Sequence, residues 1–237
     1  MSEWLSWFEA QPLFAICLTV AAYAVADTLW NSAGRPAILN PVLVATTILA
    51  GVLVVLGISY ENYLRQAAPI AETLAVLVVL LAVPLCRQFW LIRQSRGPLL
   101  AGLVCGSVMA FVTALALPTL WSSGPELLAT IAPKSSTTAV AVEVSERLGG
   151  LGGLTAVIVI CSGIFGAAFG PGLLDAAGIR DERARGFALG VASHAIGTAR
   201  AFQSSDTMGA FASLGMILNA LLTLALAPTI VAIVSGQ

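Results

Sequence analysis

Long apolar stretches alternate along this chain with short polar connections, and several reach the roughly 20 residues that a helix needs to cross a bilayer core. The clearest are Pro12 to Leu29, Ala37 to Ile58, Leu74 to Trp90, Pro98 to Leu117, Leu151 to Phe169 and Gly209 to Val234. Pro125 to Leu148 and Arg183 to Gln203 are apolar with polar interruptions. The pattern predicts an all-α, polytopic integral membrane protein of about 6–8 transmembrane helices. Broken or re-entrant elements are expected near Pro133 and His194, within one transmembrane domain over residues 1–237.

The polar connections orient these runs. Positive residues collect at cytoplasmic helix ends, and Arg87, Arg93 and Arg96 form the strongest cluster, which puts that loop and Arg35 inside and the acidic amino terminus outside. A second cluster, Arg180, Arg183 and Arg185, falls inside only if Pro125 to Leu148 enters and leaves by the same face. The charge rule therefore favours a re-entrant or broken element at Pro133, of the kind tolerated at membrane depth where it lines a cavity or is buried in protein. The first run follows Glu3 and Glu9 with no Lys or Arg before it, so it is expected to be a retained helix and not a secretory signal.

Composition agrees with lipid surroundings: 58% of the residues are apolar and 10% charged. A net charge of −1 provides no basic face for nucleic acid. Cys17, Cys86, Cys105 and Cys161 stand singly in apolar segments, with neither a disulfide framework nor zinc-ligand spacing. No catalytic triad, phosphate-cradling glycine loop or metal-ligand cluster is present, so neither an enzyme nor a cofactor is expected. Gly166 and Gly170, with Gly163, read as a face for close helix approach, inside one subunit or between two copies of a homodimer.

Polar groups that persist in so apolar a chain are costly and point to function. The only lysine, Lys134, lies in Ala132-Pro133-Lys134-Ser135-Ser136-Thr137-Thr138. Pro133 fits the first turn of a helix, and the hydroxyls of Ser135, Ser136, Thr137 and Thr138 would surround unpaired backbone N–H groups there. With the Lys134 charge these make a candidate site for a carboxylate or phosphate; the same residues also fit a capped helix whose lysine snorkels to a lipid headgroup. Glu143, about 15 Å further along at helical rise, is a candidate for a coupling proton or cation, or an interfacial carboxylate.

The only histidine, His194, shares a helix face with Gly186, Gly190, Gly197 and Ala201. Such a stripe means close helix packing or a groove through which a solute reaches His194 and Thr198. Imidazole can donate to a substrate oxygen or relay a proton, and Arg200 offers bidentate carboxylate recognition. Asn40-Pro41 and Pro84 interrupt their runs, and either can turn a backbone carbonyl toward a solute.

Asn40-Pro41-Val42-Leu43, Gly57-Ile58-Ser59-Tyr60-Glu61-Asn62-Tyr63, Ala82-Val83-Pro84-Leu85, Ala132-Pro133-Lys134-Ser135 and Gly190 to Ala199 resemble, in the same order, the LrgB/CidB family of bacterial membrane proteins, from roughly Pro12 to Pro228. The resemblance implies one of two functions. Members are described as antiholin-like or holin-like regulators of murein hydrolase export and lysis that act with an LrgA/CidA-type membrane partner. Relatives including a plastid glycolate/glycerate translocator carry small organic acids such as pyruvate, glycolate and glycerate. The anion chemistry around Lys134 agrees with transport of small monocarboxylates across the bacterial inner membrane, with Lys134, Ser135, Ser136, Thr137, Thr138, His194, Thr198, Arg200 and Asn40 about the solute. The chain departs from the family pattern at Ser136, usually Val, at Ala139, usually Pro, and in Ala75-Val76-Leu77-Val78-Val79, where a Pro and a Thr are usual. The expected partners are thus a small organic anion, membrane lipid and an LrgA/CidA-like protein.

Overall fold

The computed structural model describes residues 13–34, 36, 39, 41–80, 82–120 and 124–235, without the side chains of 71, 74–78, 117, 234 and 235. Asn40 and Arg35 lie outside the described residues, as do Glu3 and Glu9. The described backbone forms helices and no strand. Apolar runs in lipid must satisfy every backbone N–H and C=O internally, which a helix does within one segment.

The chain divides into two compact units, residues 1–80 and 81–237. In the first, α1 (Phe14–Ser32), α2 (Pro41–Leu56) and α3 (Tyr60–Leu80) pack through small residues, Ala22 and Ala26 meeting Ala45. Thr19 Oγ1 and Tyr63 OH, 2.8 Å apart, join α1 to α3. Pro41 opens α2 at the first helical position, where a missing N–H costs nothing.

The second unit holds α4 (Ala82–Arg87), α5 (Phe89–Gln94), α6 (Arg96–Leu120), α7 (Pro125–Ile131), α8 (Thr138–Arg147), α9 (Gly152–Ala176), α10 (Glu182–Phe202) and α11 (Asp206–Ser235). Helices α1, α6, α9 and α11 are long and apolar enough to cross a membrane, and α2 is a shorter apolar helix. The Leu74 to Trp90 run reaches from the end of α3 through α4 to α5, with a turn at Gln88 between the last two. Pro84 lies within α4 and contributes no backbone N–H there.

Pro125 to Leu148 turns back on itself. At its base, Thr155 Oγ1 on α9 lies 2.9 Å from the Thr130 carbonyl oxygen of α7 and 2.7 Å from Ser145 Oγ of α8. Residues fifteen apart in sequence are thus level on α9, so α8 runs back beside α7. The α10 element is also bent on itself. His194 has φ 41° and ψ −130°, and the helix divides there into residues 182–193 and 195–202. A Cβ at Gly197 would strike the carbonyl oxygen of Leu189, and Leu189 shares one apolar cluster with Ala201, Met208 and Ala212. In a straight helix residues 189 and 197 would stand about 12 Å apart.

The two hairpins come from opposite ends. Hairpin α7–α8 enters from the end where α6 stops and α9 begins; hairpin α10 enters from the end where α9 stops and α11 begins. Ser205 Oγ donates to Glu182 Oε2 over 2.9 Å, joining the two feet of the α10 hairpin. Arg183 Nη1 donates to Ser95 Oγ at 3.3 Å, which sets the second arginine cluster beside Arg93 and Arg96, on one end as the charge rule favours.

Candidate functional site at the hairpin tips

Both tips arrive beside the middle of α9, whose 25 residues span about 37 Å. Ser162 Oγ lies 2.9 Å from the Val159 carbonyl oxygen and 3.3 Å from that of Lys134, so its single proton is shared between its own helix and the first tip. The Val159 oxygen also takes His194 Nε2, at 3.0 Å. A carbonyl only accepts, so Nε2 carries a proton and the imidazole is turned to α9.

That contact explains the α9 glycines. A Cβ at Gly163 would strike the His194 ring and stand 2.7 Å from Nε2, one at Gly166 would strike Ser193 Oγ, and one at Gly170 would come within 2.8 Å of Leu189 Cδ2. Gly186 and Gly190 likewise admit the Met208 and Ala212 carbonyls of α11. The spacing that invites close backbone approach is used within this chain.

A residue not singled out in the sequence ties the tips together. Asn219, halfway along α11 and 1% exposed, donates through Nδ2 to the Ser135 carbonyl at 2.8 Å and the Val191 carbonyl at 3.3 Å. Its Oδ1 accepts from Ser107 Oγ of α6 at 2.7 Å. Both hairpins and two crossing helices thus converge on one amide whose donors and acceptor are all used. The sequence signal was available: Asn219 is a lone amide in a thirty-residue apolar run.

The break at Lys134 differs from the expected helix start. Pro133 lies in a turn; Lys134 N donates to the Ile131 carbonyl and Ser136 N to that of Pro133, and α8 begins only at Thr138. Two successive tight turns consume these groups, and Thr137, at φ −65° and ψ 149°, is the residue from which the helix restarts. The Thr137 side chain makes no capping bond to the first turn of α8. Ser136 Oγ at the first tip and Ser193 Oγ at the second are buried without a hydrogen-bond partner. A buried polar group left unpaired is costly, and each tip carries one such hydroxyl.

Lys134 and Ser135 line a cavity of about 710 Å³ between α6 and α10. Its walls include Leu99, Gly102, Gly106, Phe187 and Val191, and its far end includes Asp181 and Arg183. His194 and Thr198 are buried outside that lining, with Thr198 Oγ1 donating to the His194 carbonyl at 2.8 Å. Arg200 pairs with Gln203 Oε1, and Glu143, on the outer face of α8, with Arg147 Nε at 2.6 Å. The structure therefore gathers Lys134 to Thr138, His194 and Thr198 about the tips, with Lys134 and Ser135 facing the cavity, and leaves Arg200 and Glu143 with solvent-side partners.

At the cavity's far end Arg183 Nε and Nη2 donate to both oxygens of Asp181, the shortest contact being 2.6 Å. Asp181 also caps α10, its Oδ1 accepting from Arg183 N at 2.8 Å. The guanidinium bonds hold the Asp181 carboxyl down to about 2, with the backbone bond to Arg183 adding to the effect.

A chain of this sequence has clear relatives. The holin-like protein CidB of Staphylococcus epidermidis is 34% identical over 231 residues, 98% of each chain. The holin-like protein CidB of Staphylococcus aureus is 34% identical over 221 residues, 93% of this chain and 96% of that one. An uncharacterized protein of Haemophilus influenzae is 36% identical over 191 residues, covering 81% and 83%. No solved structure matches. A model of the LrgB-like family matches residues 19–233, across both units, and the chain belongs to that family.

Proposed function

We propose that this protein is a secondary carrier, not an enzyme, that moves small monocarboxylates of the pyruvate, glycolate or glycerate kind across the bacterial inner membrane. One observation carries the reading: two broken elements enter from opposite ends and meet at mid-depth, with the chain's only lysine on one tip facing a cavity. Broken helices at the midplane suit a carrier because their loose ends supply backbone donors and acceptors to a solute without exposing them to lipid. The N-termini of α8 and of residues 195–202 both begin at the tips, so their partial positive charge adds to Lys134.

Purified protein in liposomes should take up labelled pyruvate or glycolate under a proton or sodium gradient, and Lys134→Ala should abolish uptake while leaving the protein folded. Absence of gradient-driven uptake of every two- to four-carbon acid, in vesicles holding folded protein, removes the reading. The holin-like name of the staphylococcal relatives favours a second one, a regulator of murein hydrolase export or lysis acting with an LrgA/CidA-type partner. That reading predicts a lysis phenotype that survives Lys134→Ala and disappears when partner contacts are altered.

A further inference from the structure

We infer that Arg183 is a second anion site at the mouth of the Lys134 cavity, and that Asp181 is a resident carboxylate which a solute must displace there; this rests on the carrier reading of the same cavity. Three arginines cluster in this region, and their partners separate them. Arg185 is 15% exposed in its side chain and held by Asp175 Oδ1 at 2.7 Å and the Ile179 carbonyl at 2.8 Å. Arg180 is 80% exposed and only 3.8 Å from Asp175. Of the three, Arg183 alone lines the cavity.

Its guanidinium offers five N–H donors in a plane suited to a carboxylate. Asp181 takes Nε and Nη2, and Ser95 takes one donor of Nη1. Two N–H groups remain, enough for an arriving carboxylate to bind before Asp181 lets go. The exchange is cheap, because the Arg183–Asp181 pair is 38% and 46% exposed in its side chains and exposed ion pairs contribute little. The displaced Asp181 keeps its capping bond to Arg183 N, so the foot of α10 need not move.

The two cationic groups cannot grip one short acid together. From Arg183 to Val191, which flanks the Lys134 end, α10 rises about 12 Å. The wall between is apolar, with Gly102 and Gly106 facing Phe187 and Val191. The sites would act in succession, Arg183 collecting the anion at the end where basic residues gather and Lys134 holding it at the tips.

Asp181→Asn tests this cleanly, because Asn caps a helix as well as Asp but leaves the guanidinium without a rival carboxylate. In liposomes Asp181→Asn should lower the KM for pyruvate by about two- to fivefold, with the maximal rate little changed. Arg183→Gln should raise KM by about tenfold, and the double variant should match Arg183→Gln. A latch that merely held α10 would respond alike to loss of either partner, so KM shifts of the same sign, or no shift, overturn the inference. Ligand-observed saturation-transfer NMR of pyruvate with detergent-solubilised full-length Lys134→Ala protein keeps the test independent of transport. Residual binding should persist, strengthen with Asp181→Asn and vanish with Arg183→Gln; its absence from Lys134→Ala protein overturns the second site. Failure of wild-type uptake with this binding pattern intact would remove the carrier reading and leave the mouth site standing.

Discussion

Replacing Asn219 by Ala should loosen both hairpin tips at once. The amide makes three hydrogen bonds in a place 1% exposed, to Ser135, Val191 and Ser107. Ser107 loses least, because its hydroxyl can turn to a carbonyl one helical turn back. The Ser135 and Val191 carbonyls have no such recourse. Interhelical hydrogen bonds in membranes average about 0.6 kcal/mol, and a buried acceptor left unsatisfied costs about 1–3 kcal/mol. For one strong and one longer bond plus the Ser107 contact, the loss comes to about 2 kcal/mol, or a roughly 30-fold rise in local opening. Hydrogen-exchange mass spectrometry in detergent should detect it in peptides covering residues 131–137 and 191–197, together with reduced uptake. Asn219→Leu should behave like the alanine variant at the tips, since it fills the space but removes both donors. Unchanged exchange, or a response at one tip only, would refute the claim that Asn219 joins them.

Other expectations follow from the same geometry. Lys134→Arg should retain part of the uptake that Lys134→Ala loses, because the charge stays while the point-like ammonium is replaced by a planar fork; equal loss in both would mean that shape, not charge, matters there. Gly163→Ala should destabilise the protein by about 1–3 kcal/mol in thermal unfolding, since its methyl meets an imidazole held on α9, whereas Gly153→Ala, with open space around it, should be near neutral. Glu143→Gln should leave the proton dependence of uptake unchanged, its carboxylate being 57% exposed and paired with Arg147. For Asp181, a depressed carboxyl contributes above its ordinary value and is lost only as pH falls through about 2. The KM ratio between Asp181→Asn and wild type should therefore stay constant from about pH 5 to 8, as pH-resolved uptake can measure.

The apolar runs alone establish a helical membrane protein, because a bilayer demands stretches of that length and composition. The lone Lys134 and His194 mark where those helices break, because polar groups survive there only for a reason, and the arginine clusters favour a Pro133 element that turns back. Motif order identifies the LrgB-like family. What each polar group touches was decided only by tertiary structure. His194 had equal claim to a solute and to a neighbouring helix; close approach at Gly163 turns its Nε2 to the Val159 carbonyl. Ser107 and Asn219 meet across 112 positions of sequence, and Ser135 and Asn219 across 84. No periodicity along one segment encodes such a pair, since helical spacing determines which residues share a face but not which face meets which. That choice is made when whole helices pack, and it brings Lys134, Asn219 and Arg183 into one structure.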